Sequence, residues 1–377
     1  MDVGLQDHPS YITNLHNDSL YLIFEKLDMK VDQDSFGLTC HRFLDIQNSS
    51  SKCLELGYNG SSFMLDKLLK RFRKLESLSL KGCTYVFNSG LSRLQTCGSK
   101  LHTLYLVRVC LKNTGLSYIA SGCPLLSVIS ICSCVITDKG LKILSESCKY
   151  LKDVELLPIE CDSITDSGIQ SLNQNCRQLR TLIIGCCPGI AGVGFQGCSP
   201  TLSCLIATNC ALSSTGIADI LSGGGLEYLN FGSVKCIGAN GLAAIGLGFA
   251  ANLKVLDLIH CSFVTDEVVL SISKGCPLLQ EWNLSYCDKI GTSGWYPIGL
   301  YCSNLEIIHV NECYSFQNEA LIALGNGCKR LSVIHMKNCP RIVSTEKDLI
   351  ITQREGRKII ESEVSMIIPR WVYAIWP

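Results

Sequence analysis

The sequence predicts an α/β solenoid, in which a curved parallel sheet lines an inner wall, helices lie outside it, and a small helical motif precedes it. Three observations predict this: a strand phrase repeated eleven times, a helix phrase that follows it at fixed offsets, and an amphipathic stretch in the first 50 residues that lies outside the repeat. The strand phrase is Leu-x-x-Leu-x-Leu-x-x-Cys. Clear copies are Leu75-x-x-Leu78-x-Leu80-x-x-Cys83, Leu126-x-x-Ile129-x-Ile131-x-x-Cys134, Leu179-x-x-Leu182-x-Ile184-x-x-Cys187 and Leu253-x-x-Leu256-x-Leu258-x-x-Cys261. Further copies begin at Leu101, Leu151, Leu202, Leu226, Leu279, Leu305 and Leu331. From Leu75 to Leu331 the ten intervals cover 256 residues, 25.6 on average, which is a solenoid period.

The second half of each unit reads as a helix. In Thr137-Asp138-Lys139-Gly140-Leu141 the Thr/Asp pair offers an N-cap oxygen, and Leu141, Leu144 and Cys148 recur on one helical face. The same offsets return at Thr165 with Ile169, Leu172 and Cys176, and at Thr265 with Val269, Ile272 and Cys276. One unit cannot cover its own strand and helix faces, so stacked neighbours must complete the core. Two copies depart from the phrase: Glu160-Cys161-Asp162 is inserted after the strand that begins at Leu151, and Gly189 to Gly197 is a shortened, Gly-rich helix region. Those places should bulge or pinch the stack.

Of the twenty-four cysteines most occupy repeat positions, at strand exits such as Cys134, Cys187, Cys261, Cys287, Cys313 and Cys339 and at helix ends such as Cys123, Cys148, Cys176, Cys276, Cys302 and Cys328. Free cysteine packs as a small hydrophobe, and the paired spacing of a zinc site is missing. Packing in a reducing compartment is expected, with no metal. Thirty-three basic and 33 acidic residues cancel, which gives no reason to expect nucleic acid or an anionic membrane as partner. The opening residues lack the pattern of a signal peptide, and the apolar runs are too short to span a bilayer. Cytoplasm or nucleus is the expected location.

Cysteine at both junctions, with phrases such as Ile-Thr-Asp-x-Gly-Leu, resembles the cysteine-containing subclass of leucine-rich repeats from Leu75 through Cys339. The first 50 residues add a second signal. Leu20, Ile23, Phe24 and Leu27 form one helical stripe with Asn17 or Asp18 as cap, and a short amphipathic segment from Asp34 to Leu44 follows. The order Leu15, then Leu20-x-x-Ile23-Phe24-x-x-Leu27, then Asp34, then Cys40 and Phe43 resembles an F-box, with His16 where the pattern has proline and Phe43 where tryptophan is usual. Taken together the chain resembles a plant-like F-box/leucine-rich-repeat protein.

The resemblance implies a leucine-rich-repeat solenoid with an F-box-like motif at its N-terminus, acting as the non-catalytic substrate receptor of an SCF-type cullin-RING ubiquitin ligase. Residues 1–11 would be an N-terminal tail, 12–50 the F-box-like motif, 51–74 a linking half-repeat that includes Cys53-Leu54-Glu55-Leu56, 75–343 about eleven repeats, and 344–377 a C-terminal cap or disordered tail. Leu15, Leu20, Ile23, Phe24, Leu27, Leu38 and Phe43 would meet the adaptor subunit, and through it the cullin scaffold, as helices in an apolar groove. No catalytic constellation is visible. A repeat scaffold or inhibitor without a ligase role is the other class; it would be expected to carry a strongly acidic wall and no such preface.

The inner wall follows from the period of two. With residues three and five past each leading leucine facing the core, those two, four and six past it face inward to the concave surface. The middle is small and apolar, with Ile183 and Ile206. Tyr228, Asp257, Glu281, Asn283, His309 and His335 follow, and with the two isoleucines they are the expected contacts for a protein substrate. Because this wall carries few Arg or Lys, no inositol polyphosphate or other cofactor is expected. The tail after Cys339 matches no repeat position beyond a helix that Ser344 can cap.

Overall fold

The computed structural model describes residues 12–158, 163–234, 239–352, 356, 358–362, 367–369 and 372. The inserted Glu160-Cys161-Asp162 lies outside the described residues. Helices α1 (Asn17–Glu25), α2 (Lys30–Thr39) and α3 (His41–Ser50) come first. A single sheet then runs to the end, each strand parallel to the next and in chain order. It opens with β1 (Cys53–Glu55), β2 (Ser77–Ser79), β3 (Thr103–Val107), β4 (Val128–Cys132), β5 (Asp153–Leu157) and β6 (Thr181–Gly185). It continues through β7 (Cys204–Thr208), β8 (Tyr228–Asn230), β9 (Val255–Asp257), β10 (Glu281–Asn283), β11 (Ile307–His309), β12 (Val333–His335) and β13 (Lys358–Ile360). The eleven phrases are β2 to β12. The strand β1 extends the sheet before the first phrase and β13 after the last, so the tail adds a strand that its sequence does not announce.

Leu78, Leu80, Ile129, Ile131, Leu182, Ile184, Leu256 and Leu258 are fully buried, as the two core-facing positions of the phrase require. After each strand the chain must turn sharply toward its helix. The residue seven past the leading leucine takes a left-handed backbone: Gly82, Arg108, Ser133, Cys186, Asn209, Ser233, His260, Tyr286, Glu312 and Asn338 all have φ between 53° and 80°. Its N–H reaches the neighbouring unit, as from Arg108 to the Cys132 carbonyl at 2.9 Å and from His260 to the Ser285 carbonyl at 3.0 Å. Pro158 holds this place in the Leu151 copy, and proline is confined to φ near −65°. That unit must turn differently, and its inserted residues follow directly.

The strand-exit cysteine comes next and does more than fill space. Cys261 Sγ donates to the Phe231 carbonyl at 3.0 Å, Cys287 Sγ to the Leu258 carbonyl at 3.2 Å, and Cys313 Sγ to the Leu284 carbonyl at 3.2 Å, so a weak donor satisfies an inner carbonyl of the preceding repeat. Burial pushes the Cys261 thiol up to about 12. Among the described residues no group of three His, Cys, Asp or Glu is placed to share a metal ion. Alkylation follows from this burial. Iodoacetamide at pH 8 should modify the exposed Cys53, Cys110 and Cys186 in the folded protein and reach Cys261 and Cys287 only after denaturation, as read by peptide mass spectrometry. Equal labelling of Cys261 and Cys186 would contradict the packing described here.

The helix phrase has a different physical basis from the expected local cap. Thr165 does cap its own helix, accepting from Ser167 N at 3.2 Å, but the acidic residue beside the threonine serves the next unit. Asp138 accepts from Thr165 N at 2.8 Å and from the Thr165 hydroxyl at 2.6 Å. Asp166 accepts from Ala191 N, Gly192 N and Gly194 N at 2.8, 2.9 and 2.9 Å. Asn88, Asn113, Asp266 and Asn318 hold Lys112 N, Thr137 N, Gly291 N and Val343 N in the same sense. The glycine of the phrase makes room for this clamp, since a methyl group on Gly168 would overlap the Asp138 carboxylate. In the Gly-rich copy the outer helix is reduced to a 3-10 turn, Val193–Phe195, and the three amides held by Asp166 are those of that turn and its approach. Among the described residues no helix is long and apolar enough to cross a membrane.

Candidate functional site

The N-terminal helices form their own small core from Leu20, Phe24, Phe36, Phe43 and Ile46. Phe36 stacks on Phe43 with ring centroids 4.4 Å apart, and Phe24 tilts against Phe36 at 5.4 Å. Polar contacts fix the packing. Arg42 joins the start of α1 by donating to Asn17 Oδ1 at 2.8 Å and to the Leu15 carbonyl at 2.5 Å, and Gln47 Nε2 donates to Asp34 Oδ1 at 3.1 Å. His16, where the F-box pattern has proline, is the N-cap of α1. The parallel pairing of β1 with β2 carries this module onto the sheet.

The residues expected at the adaptor therefore divide. Leu20, Phe24 and Phe43 are buried inside the module, and Ile23 and Leu27 are half-buried against its core. Leu15 and Leu38 are exposed, Leu38 at 84%. Leu22, Met29 and Val31 are exposed as well and were not among the expected contacts. Their signal was available: Leu22 and Val31 are apolar residues that the buried stripe leaves unexplained.

The inner wall has three zones. In the first, Ser130 Oγ donates to Glu155 Oε2 at 2.5 Å, and the Lys81 ammonium sits 4.9 Å from the Tyr105 ring centroid. In the middle, Ile183, Cys204, Ile206 and Tyr228 are joined on β6, β7 and β8 into an apolar cluster that is separate from the main core. In the third zone Asn230, Asp257 and Asn283 occupy one row of the sheet. Each turns a side-chain oxygen back to the backbone N–H two residues on, at Gly232, Ile259 and Ser285, at 2.8, 3.0 and 3.0 Å. Further along, His309 Nε2 lies 2.8 Å from Glu281 Oε1, and His309 stacks on His335 with centroids 4.3 Å apart.

An open wall with polar side chains free to meet a partner was expected in this third zone. The structure corrects that. Asp257, Asn283 and His309 are buried, while Glu281 and His335 are half-buried, because the polar side chains engage their own backbone and one another. Ile183, Ile206 and Tyr228 are buried too, and part of what covers them is the tail: Ile367 and Val372 belong to the same apolar cluster. Ile367 N donates to Asp257 Oδ2 at 3.0 Å, and the Tyr228 hydroxyl donates to the Ile367 carbonyl. Burial raises the Asp257 carboxyl above the usual carboxylate range, and the amides of Ile367 and Ile259 oppose that shift. Burial, and then its neighbour His309, lower the His335 imidazole below its ordinary value.

A family model described as leucine rich repeat matches residues 275–299. The chain is similar to F-box/LRR-repeat protein 12 of Arabidopsis thaliana, at 46% identity over 289 residues covering 72% of each chain. It is also similar to F-box/LRR-repeat protein 4 of Bos taurus, at 28% identity over 164 residues, 43% of this chain and 22% of that protein. Among solved structures, a chain in the crystal structure of the Rad7 and Elc1 complex in yeast superposes with TM-score 0.53 at 18% identity, covering 92% of this chain and 93% of that one, a likeness of fold.

Proposed function

Because this chain belongs to the F-box/LRR-repeat family, we propose that it is the substrate-recognition subunit of an SCF-type cullin-RING ubiquitin ligase. Residues 12–50 are assigned to the adaptor, 51–74 to the coupling half-repeat, 75–343 to the receptor and 344–377 to a C-terminal cap. The observation that carries this reading is the exposed apolar set of Leu22 and Leu38 on the helices and Leu15 just before the first of them, around a core that is already complete without them. A module with a finished core has no internal use for an 84% exposed leucine, and such residues are what an apolar groove on a partner would cover. Leu20, Phe24 and Phe43 then support the surface from beneath.

The receptor contributes proximity and orientation, and the bond-making chemistry belongs to other subunits. The inner wall is the place for a target protein, since thirteen parallel strands about 4.8 Å apart give an arc of roughly 58 Å, long enough to hold a protein segment. The test is reconstitution. The full chain mixed with purified adaptor and cullin-RING complex should co-elute with them on size exclusion. Failure to co-elute at micromolar concentration would leave the chain an interaction scaffold without a ligase role.

A further inference from the structure

We propose that the inner wall at Tyr228 and Asp257 is a site for an extended apolar peptide of a partner protein, and that the chain's own segment around Ile367 occupies it until that peptide displaces it. The inference rests on the wall being the receptor surface, and it adds what the wall binds and how access is controlled.

One residue of the tail is read at three points. Its N–H donates to Asp257 Oδ2, its carbonyl accepts from the Tyr228 hydroxyl, and its side chain is buried with Ile183, Cys204 and Ile206. The partners are 110 and 139 residues apart in sequence, so no local turn imposes the contact. Main-chain capture combined with an apolar side-chain pocket is how a groove holds a peptide: the backbone bonds supply sequence-independent hold and the pocket supplies selection. The carboxylate points the same way. Asp257 already receives Ile259 N on Oδ1 and Asn230 Nδ2 on Oδ2, and burying an ionised group is costly unless its remaining acceptor positions are also met. The Ile367 amide meets one of them, on the oxygen that Asn230 also reaches.

Chain length allows the contact. Ile360 on β13 lies in the same sheet row as His335, His309, Asn283 and Asp257, four strand spacings or about 19 Å away. The seven residues from Ile360 to Ile367 can span up to about 25 Å. Among the described residues the hold of this segment on the wall includes two main-chain bonds and the burial of Ile367 and Val372, with Ile368 packed beside them, chemistry that a competing peptide can reproduce.

The test uses the full chain and a fluorescein-labelled synthetic peptide copying residues 362–372, read by anisotropy. A chain carrying Ile367→Asp and Val372→Asp should bind the peptide at least tenfold more tightly than the unaltered chain, and adding Ile183→Asp should remove the gain. Equal binding to the first two chains, or none to either, would overturn the proposal. Should the double variant not fold, Tyr228→Phe in the otherwise unaltered chain decides. Loss of the hydroxyl alone should raise hydrogen exchange at 367–372 severalfold and leave β2 to β6 unchanged, whereas unchanged exchange at 367–372 would overturn the capture. Neither measurement includes the adaptor, so its outcome is separate from that of the ligase assignment.

Discussion

Leu38→Asp should reduce adaptor affinity by at least 100-fold while the chain stays folded. The side chain is 84% exposed, so the substitution should change stability by no more than about 0.5 kcal/mol. At an interface a covered leucine contributes about 1.5–3 kcal/mol, and a carboxylate forced into the same apolar groove adds a desolvation cost, which together exceed the roughly 2.7 kcal/mol that corresponds to 100-fold. Phe24→Asp would be a poor test, because Phe24 is part of the module's own core and its loss of binding would follow from unfolding. Titration calorimetry with purified adaptor reads the affinity and a urea melt reads the fold. Retained affinity with an intact melt would remove these helices from the adaptor.

Asp166→Ala should cost about 2–4 kcal/mol, measured as the shift of the urea midpoint. The carboxylate accepts from three backbone amides where the outer helix is shortened, and removing it leaves Ala191 N, Gly192 N and Gly194 N without that acceptor. A hydrogen bond to a charged group contributes about 1.5–3 kcal/mol, and an orphaned, part-buried donor is costly in its own right. Asp166→Asn keeps Oδ1 for Gly192 and Gly194 and should lose about half as much. A loss under about 0.5 kcal/mol from the alanine would mean that water serves these amides equally well.

The leucine spacing made the sheet legible because strand and helix faces impose fixed periods, and each phrase from Leu75 to Leu331 became one strand. The clamp was harder to read. Asp138 beside Thr137 looks like a cap for its own helix, and only stacking shows that its carboxylate lies against the following unit. The stripe of Leu20 and Phe24 was plain, but amphipathicity does not say whether a stripe meets a sister helix or another molecule; here it meets sister helices, and the off-stripe Leu22 stays exposed. The period of two puts Asp257 and Asn283 on the wall, but it does not show that their oxygens close short loops onto Ile259 N and Ser285 N. The capture of Ile367 involves groups more than 100 residues apart and has no periodic signature.

The clamp also gives the solenoid a direction. Each Asp or Asn holds amides that lie later in the chain, from Asn88 on Lys112 to Asn318 on Val343. A protein made from its N-terminus therefore has every clamp synthesised before the loop it will grip, and each newly emerged unit meets a finished template. In the mature molecule the same polarity should make injury travel one way. Loss of a clamp releases the repeat on its C-terminal side, and its N-terminal neighbour keeps its own clamp, so fraying should spread from a lesion toward β13 more readily than toward β1.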